Sequence, residues 1–546
     1  MGLFPLLLYF AFFCILTYPA ITQFRTHFFS DEGDGLQCAW NLWWVRKAVL
    51  DLHQSPWHTS YLHWPYGISL LGHTLHPFNG FATMFLPTGI SLMERYNLVV
   101  IFSFIVGGLT AFLLAHHLTN SYAGSVIAGY LFTFSSFHFA HLEGHLQMVS
   151  LEWIPLFILL WYKFVMKPSI ARSIAAALLL FLVILCDFYF FFYCVMAGLI
   201  IFCWRLNRKE GIPFFKEKGY LIATGLFGLI SLATSGMLAA SFLLANSRDE
   251  FLGAHPESEF SMDLLAPFIY GGHWRFASLT KPYWSQLPGY IQESSVHLGL
   301  AVVVLLIYVW RKRKHAEMPG IGLWYILLFF FAVMALGPNL QVWGGQTEWM
   351  TLPYTWLQAL FPPLRASGVP VRMIVIAVLA AAVISAEGFK LLFRGSYRNR
   401  LFASALLGLA LLEHLPGPVT TSAPSIPAYV RVLRELPGAG GVLDTVSRPT
   451  LALYYQTVHQ KPLAFGYVSR VPRSVYEKDR ELVKTLKAND FLSLWSTYRI
   501  RYLITAHAPD RLRESDGAVW SDGSIGIFDL TAVTTPGIKS TAGNSH

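Results

Sequence analysis

The chain has 546 residues, of which 54% are hydrophobic and only 13% charged, with a formal net charge of +9. A soluble domain carries roughly 25% charged residues, so this surface cannot be wetted throughout and most of it must face lipid. Positive charge of this size in a soluble protein would suggest nucleic acid. Here the basic residues cluster in short connections between apolar runs, where they set orientation in a bilayer, and no nucleic-acid partner is expected.

The first apolar run, 3–21, has no basic residues before it and is long for a signal-peptide core, so it is expected to stay as a helix. A bilayer core takes about 20 apolar residues per helix. Further candidate spans are 96–115, 122–137, 151–166, 172–186, 188–204, 219–245, 296–310, 322–338, 371–389 and 401–413. The apolar stretch 76–92 is broken by Pro77, Gly80, Pro87 and Gly89, which predicts a re-entrant or interfacial segment instead of a twelfth crossing. Lys163, Lys167 and Arg172 fill one connection. Arg205, Arg208, Lys209, Lys216 and Lys218 fill a second, and Arg311 to Lys314 a third. Lys390, Arg394, Arg398 and Arg400 fill a fourth. With about eleven spans all four lie on one side, which the positive-inside rule makes cytoplasmic together with the N-terminus. The other side receives loops 22–75, 138–150, 246–295 and 339–370, and the tail.

The expected organisation is therefore an α-helical polytopic membrane domain over 1–413, a small extracytoplasmic α/β domain over 414–535 and a disordered tail over 536–546. Within the α/β domain, 425–436 reads as a helix entering at a proline and 441–446 as a short strand. Residues 474–488 read as an amphipathic helix with Ser474 and Glu477 spaced as a capping box, and 500–505 and 525–530 as strands. The five cysteines form no CxxC, so neither a disulfide framework nor a zinc ribbon is expected.

Two external loops carry chemistry. The first contains Asp31, Glu32 and Asp34 interleaved with Gly33 and Gly35. Carboxylates that converge on glycine turns suit general-base work on an acceptor hydroxyl or the binding of a divalent cation, and equally a solvated loop or a helix cap. The following Trp40, Trp43, Trp44, Arg46 and Lys47 suit a segment lying along the interface. In the second loop His138, His141, His145 and Glu152 would share one face of a continuous helix, with Glu143 on the other side unless Gly144 breaks it. The three histidines are candidate metal ligands, and they serve equally as hydrogen-bonding groups. Asp187 sits in a short apolar hairpin, where an acid is either functional or simply reaches water. Arg365 and Arg372 run against the inside bias just where a span begins, at the depth of a lipid phosphate; interfacial snorkelling by Arg372 and a salt bridge for Arg365 are equal alternatives.

This layout resembles the GT-C superfamily of integral-membrane glycosyltransferases, which includes protein mannosyltransferases, aminoarabinose transferases and transferases that decorate the lipopolysaccharide core. The resemblance rests on the Asp31-Glu32-Gly33-Asp34 cluster after the first helix and on the acidic, His-bearing second loop. The basic cytoplasmic connections and the external C-terminal domain complete it. It implies transfer of a sugar from a polyprenyl-phosphate donor, with inversion, to an external lipid, glycan or protein acceptor in a bacterial plasma membrane. Asp34 or Asp31 would then be the base, Glu143 or His141 would assist, and Arg365 or Arg372 would hold the donor phosphate. One external cavity is expected to hold Asp34 and the 141–145 loop, with an arginine closing one side. A divalent metal stays open as a cofactor. A lipid-linked-glycan transporter would require charges buried in mid-span and inverted repeats, neither of which is visible. A non-catalytic scaffold keeps the same pattern, and the absence of HExxH argues against a zinc protease.

Overall fold

The computed structural model describes residues 2–208, 217–361, 364, 368–507, 512 and 517–532. They form two compact units. One comprises Met1–Asp31, His76–Leu243 and Ala254–Ser422, the other Glu32–Leu75, Leu244–Gly253 and Ala423–His546.

In the first unit a helix occupies each apolar stretch marked out above. Leu92–Thr119, Phe188–Leu206, Lys218–Arg248 and Pro370–Phe393 are long and apolar enough to cross a membrane, and Leu3–Leu16, Trp153–Met166, Ile170–Cys186, Leu300–Arg311 and Ile321–Ala335 are apolar but shorter. Tyr122–Thr133 and Tyr397–Glu413 complete the set. Leu92–Thr119 starts on a capping box, in which the Ser91 hydroxyl accepts from the Glu94 amide at 3.2 Å while Glu94 accepts from the Ser91 amide at 2.8 Å. Ile374–Phe393 is buried on nearly every side and packs against Tyr122–Thr133, Ile321–Ala335 and Leu300–Arg311. Its Ala377, Ala380, Ala381 and Ala382 let neighbouring backbones come close, as helices in lipid require. By contrast Lys218–Arg248 is almost unburied and presents Leu221, Ile222, Leu229 and Leu232 outward, as a helix facing hydrocarbon would.

Between the first two of these helices, the broken stretch contains only the helix Pro77–Met84. Eight residues rise roughly 12 Å, well short of a bilayer core of about 30 Å. Arg95 ties down the turn that follows, donating to the carbonyls of Leu86 at 3.1 Å, Pro87 at 2.8 Å and Ile90 at 3.1 Å.

The second histidine loop differs from the continuous helix expected. Ser136–His141 and Leu146–Val149 are separate short helices, because Gly144 adopts a φ of +109° that no helix tolerates. His138, His141, His145 and Glu152 therefore share no helical face.

The second unit is built on a four-stranded sheet. Gly441–Asp444 pairs in parallel with Ile500–Thr505, which pairs antiparallel with Gly526–Asp529, and Ala518–Ser521 forms the far edge. Leu443, Ile500, Leu503 and Phe528 from the sheet join Leu482 and Leu494 from two helices in one apolar core. Arg473–Lys487 enters from Pro472 without the capping box expected at Ser474, whose hydroxyl instead donates to Asp249 at 2.6 Å. The expected border at 414 is crossed by the first external loop, since 32–75 belongs to this unit. Its helix Asp34–Arg46 packs on Pro449–His459. Trp40 and Trp44 stack at 5.7 Å in the interior and do not lie along a membrane interface. Gln456 is the joint: its carbonyl accepts from the Trp40 indole at 2.7 Å, and its amide donates to Tyr61 O at 2.6 Å and Lys461 O at 3.0 Å.

Replacing Gln456 by leucine strands the indole and the Lys461 carbonyl in a dry interior, each at a cost of about 1–3 kcal/mol, while the Tyr61 carbonyl keeps the Leu463 amide at 2.8 Å. Thermal unfolding of the purified full chain is expected to shift down clearly. Trp40→Phe added to Gln456→Leu, which removes one stranded donor, should recover part of the loss.

Candidate functional site

Within the first unit three short elements converge on one buried cluster. The helix Ser136–His141 ends on His141, the turn Ile291–Ser294 carries Glu293, and the 3-10 turn Pro370–Met373 presents Arg372 at the mouth of its span. Arg372 Nε donates to Glu293 Oε1 at 2.9 Å, and Nη2 donates to the same oxygen. The other carboxylate oxygen, Oε2, lies 3.2 Å from His141 Nε2. On its far side the His141 ring is held by Nδ1, 2.7 Å from the Phe137 carbonyl. The His145 ring stands 5.5 Å from that of His141, centroid to centroid.

The cluster extends to Asp187 and Tyr189. The Arg372 guanidinium lies over the Tyr189 ring, 5.1 Å from its centroid. Asp187 is buried, so it does not reach water. It caps Phe188–Leu206 by accepting from the amides of Tyr189 at 2.7 Å and Phe190 at 3.1 Å, and its charge acts on Arg372. Burial alone would raise the Glu293 carboxyl, but the Arg372 guanidinium overrides it and holds the group well below the usual carboxylate range. Burial also pushes the His141 imidazole down. Glu293, an acid just ahead of the apolar run 296–310, was not marked as a candidate in the sequence. The only signal for it there is its position, close before the run 296–310 as Arg372 is close to the start of the run 371–389.

The remaining candidates are distributed elsewhere. Glu143 has partners separate from those of His141. It accepts from His273 Nε2 at 3.1 Å, from Gln292 Nε2 at 3.1 Å and from the Thr420 hydroxyl. It lines an open cavity of about 170 Å³ with Phe139, Leu142, His273, Pro416 and Pro418. Burial works to raise its pKa, but the hydrogen bonds from His273, Thr420 and Gln292 prevail and bring it down to about 2. His138 drops out as a metal ligand: its ring stacks on Phe104 at 3.7 Å, and its two nitrogens lie 2.7 and 2.8 Å from the carbonyls of Thr133 and Val149. Arg365 lies outside the described residues. Asp31 closes the first stretch of the first unit, its carbonyl accepting from the hydroxyls of Ser30 and Ser422. Asp34 belongs to the second unit and opens the helix Asp34–Arg46, where the helix dipole favours a carboxylate; it accepts from the Tyr467 hydroxyl at 2.9 Å. Glu32, in that same unit, is committed to Arg448 at 2.6 Å.

A lone charge in this interior costs more than a pair. Arg372→Met or Glu293→Leu alone is expected to destabilise the chain by about 3–5 kcal/mol, while the double variant should regain most of that loss in thermal unfolding. The Glu143 pairing gives a second signature. Its folded pKa lies below the ordinary value near 4.5, so its contribution is complete above that value and disappears as pH falls toward about 2. Glu143→Gln should flatten that part of the stability–pH curve.

Comparison with known proteins places the fold. The chain superimposes on the arabinofuranosyltransferase AftD from Mycobacteria over 96% of its length, with a TM-score of 0.60 and 14% identity, and spans 41% of that larger chain. Weaker likenesses, at TM-scores of 0.43 and 0.40, are to the oligosaccharyltransferase AglB from Archaeoglobus fulgidus in complex with an inhibitory peptide and a dolichol-phosphate and to ArnT from Cupriavidus metallidurans bound to undecaprenyl phosphate. They share 12% and 10% identity, cover 91% and 99% of this chain, and match 68% and 99% of theirs. The fold is shared with that arabinofuranosyltransferase structure. No curated protein matches the sequence. The family model described as a domain of unknown function, DUF6311, matches residues 6–412, and the chain belongs to that family.

Proposed function

We propose that this DUF6311 member is a membrane glycosyltransferase that moves a sugar from a polyprenyl-phosphate donor to an acceptor on the extracytoplasmic side of a bacterial plasma membrane. The observation that carries the reading is the buried Arg372–Glu293–His141 cluster at the mouth of a span, within a fold shared with AftD over 96% of the chain. Ionised groups are expensive at this depth and are retained where they act on a substrate.

The chemistry asked of the protein is a single displacement. The acceptor hydroxyl attacks the anomeric carbon, the bond from that carbon to the phosphate oxygen breaks, and polyprenyl phosphate leaves with the electron pair. The acceptor proton passes to a carboxylate, for which Asp34 or Asp31 is assigned, Glu32 being committed to Arg448. The leaving phosphate gathers negative charge, and Arg372, with Arg365 upstream, is assigned to it. Glu293 then serves as the counter-ion that keeps the guanidinium oriented while no donor is bound. His141 supports that carboxylate from the other side. Glu143, held by three donors in its own cavity, contributes to the acceptor side in this reading.

The test is transfer from a panel of radiolabelled polyprenyl-phosphate sugars in membranes carrying wild type, Asp31→Asn or Asp34→Asn. Wild type is expected to transfer from one donor. The variant that removes the base should fall by about 10²–10⁴-fold at unchanged protein level, and Arg372→Lys should also lose rate. No transfer by wild type from any donor, with a known transferase active in the same membranes, would overturn the reading in favour of a transporter or scaffold.

A further inference from the structure

The cluster described above contains a second arrangement that sugar transfer does not by itself require. His141, His145 and Glu293 each offer one ligand atom, and the three atoms lie within 4.8 Å of one another. We propose that they form a binding site for one divalent transition-metal ion, zinc by donor type, with His141 Nε2, one His145 ring nitrogen and Glu293 Oε2 as ligands.

Three features point to a metal site and not to a hydrogen-bonded pair. First, His141 is held by its outer nitrogen. With Nδ1 bonded to the Phe137 carbonyl at 2.7 Å, the proton of a neutral ring sits on Nδ1 and the Nε2 lone pair faces inward, the tautomer a metal selects. Second, that lone pair faces a carboxylate oxygen at 3.2 Å. Ligands about 2.0–2.1 Å from a tetrahedral ion are themselves about 3.4 Å apart. Third, Glu293 is oriented in the same way as His141: Arg372 occupies Oε1 through two N–H groups and leaves Oε2 turned to the histidines. The pair Phe137 carbonyl and Arg372 guanidinium thus plays the part of the outer contacts that fix metal ligands.

Two imidazoles and one carboxylate suit zinc better than magnesium or calcium, which prefer all-oxygen sets. His138, the other histidine of the loop, is excluded because carbonyls hold both its nitrogens. His145 is half-buried while His141 and Glu293 are buried, so an ion would enter past His145. Three protein ligands leave one position for an outside oxygen, and under the transferase reading, on which only this role rests, that oxygen is the donor phosphate's.

Metal binding is measured on the purified full chain without any sugar donor, so it is decided separately from transfer. After chelation and dialysis, wild type is titrated with zinc by calorimetry and with cobalt by visible absorption, which reports a four-coordinate site directly. One equivalent per chain is expected, with an intense cobalt band. His145→Gln, at the half-buried ligand and so least disturbing to the fold, should weaken zinc at least tenfold. His141→Gln should abolish the cobalt band. His273→Gln, outside the cluster, should bind as wild type. Absence of a saturable equivalent in wild type, or zinc affinity unchanged in both ligand variants, would overturn the site and leave His141 as a plain hydrogen-bonding partner of Glu293. Zinc binding without transfer would keep the site and remove the transferase reading.

Discussion

The ion pair of Arg372 and Glu293 is the constraint around which the helical unit is organised. Neither charge tolerates this interior alone, since stripping a carboxylate or a guanidinium of water costs several kcal/mol that only close pairing offsets. The pair joins a loop turn before one span to the first turn of another. Because Arg372 takes one oxygen with two N–H groups, the orientation of the carboxylate is set, and with it the oxygen that faces His141. Asp187 and Tyr189 add a second acid and a π face to the same guanidinium. The start of Phe188–Leu206 is thereby bound into the electrostatics of the cluster as well as into the packing.

A single glycine divides the segment 136–149 into two short helices. At Gly144 the chain takes a conformation that ends the helix begun at Ser136. His141, before the break, stays with Glu293. Glu143 turns to His273, Gln292 and Thr420 and lines a separate cavity. A continuous helix would have displayed the histidines as one stripe. The break takes the histidines off a shared helical face, while His141 and Glu143, two residues apart, meet different partners.

The segment 40–61 is tied to Gln456 by two hydrogen bonds. A buried glutamine, Gln456, satisfies the Trp40 indole and two loop carbonyls at once. Around it Trp40 and Trp44 are buried, with Trp43 and Tyr61 packed against them half-buried. Asp34 heads a well-formed helix, a setting that favours an ionised carboxylate, while its neighbour Glu32 is drawn to Arg448.

Much of this was legible in the residues because it follows from local pattern. Apolar runs such as 371–389 and 96–115 are long and uninterrupted, and a bilayer leaves them no choice but helix. Prolines and glycines interrupt the apolar run 76–92, which holds only the short helix Pro77–Met84, and strand periodicity in 500–505 survives intact as Ile500–Thr505. Arg372 stood out by its place against the charge bias. What tertiary structure alone decided is partnership. Glu293 lies 79 residues from Arg372 and 152 from His141, and no local pattern links an acid in one loop to a base before a distant span. The same holds for Trp40 and Gln456, 416 residues apart. Burial of charge demands a partner but does not name one. The sequence therefore determined which groups had to be satisfied, and the packing of distant segments determined which groups satisfy them.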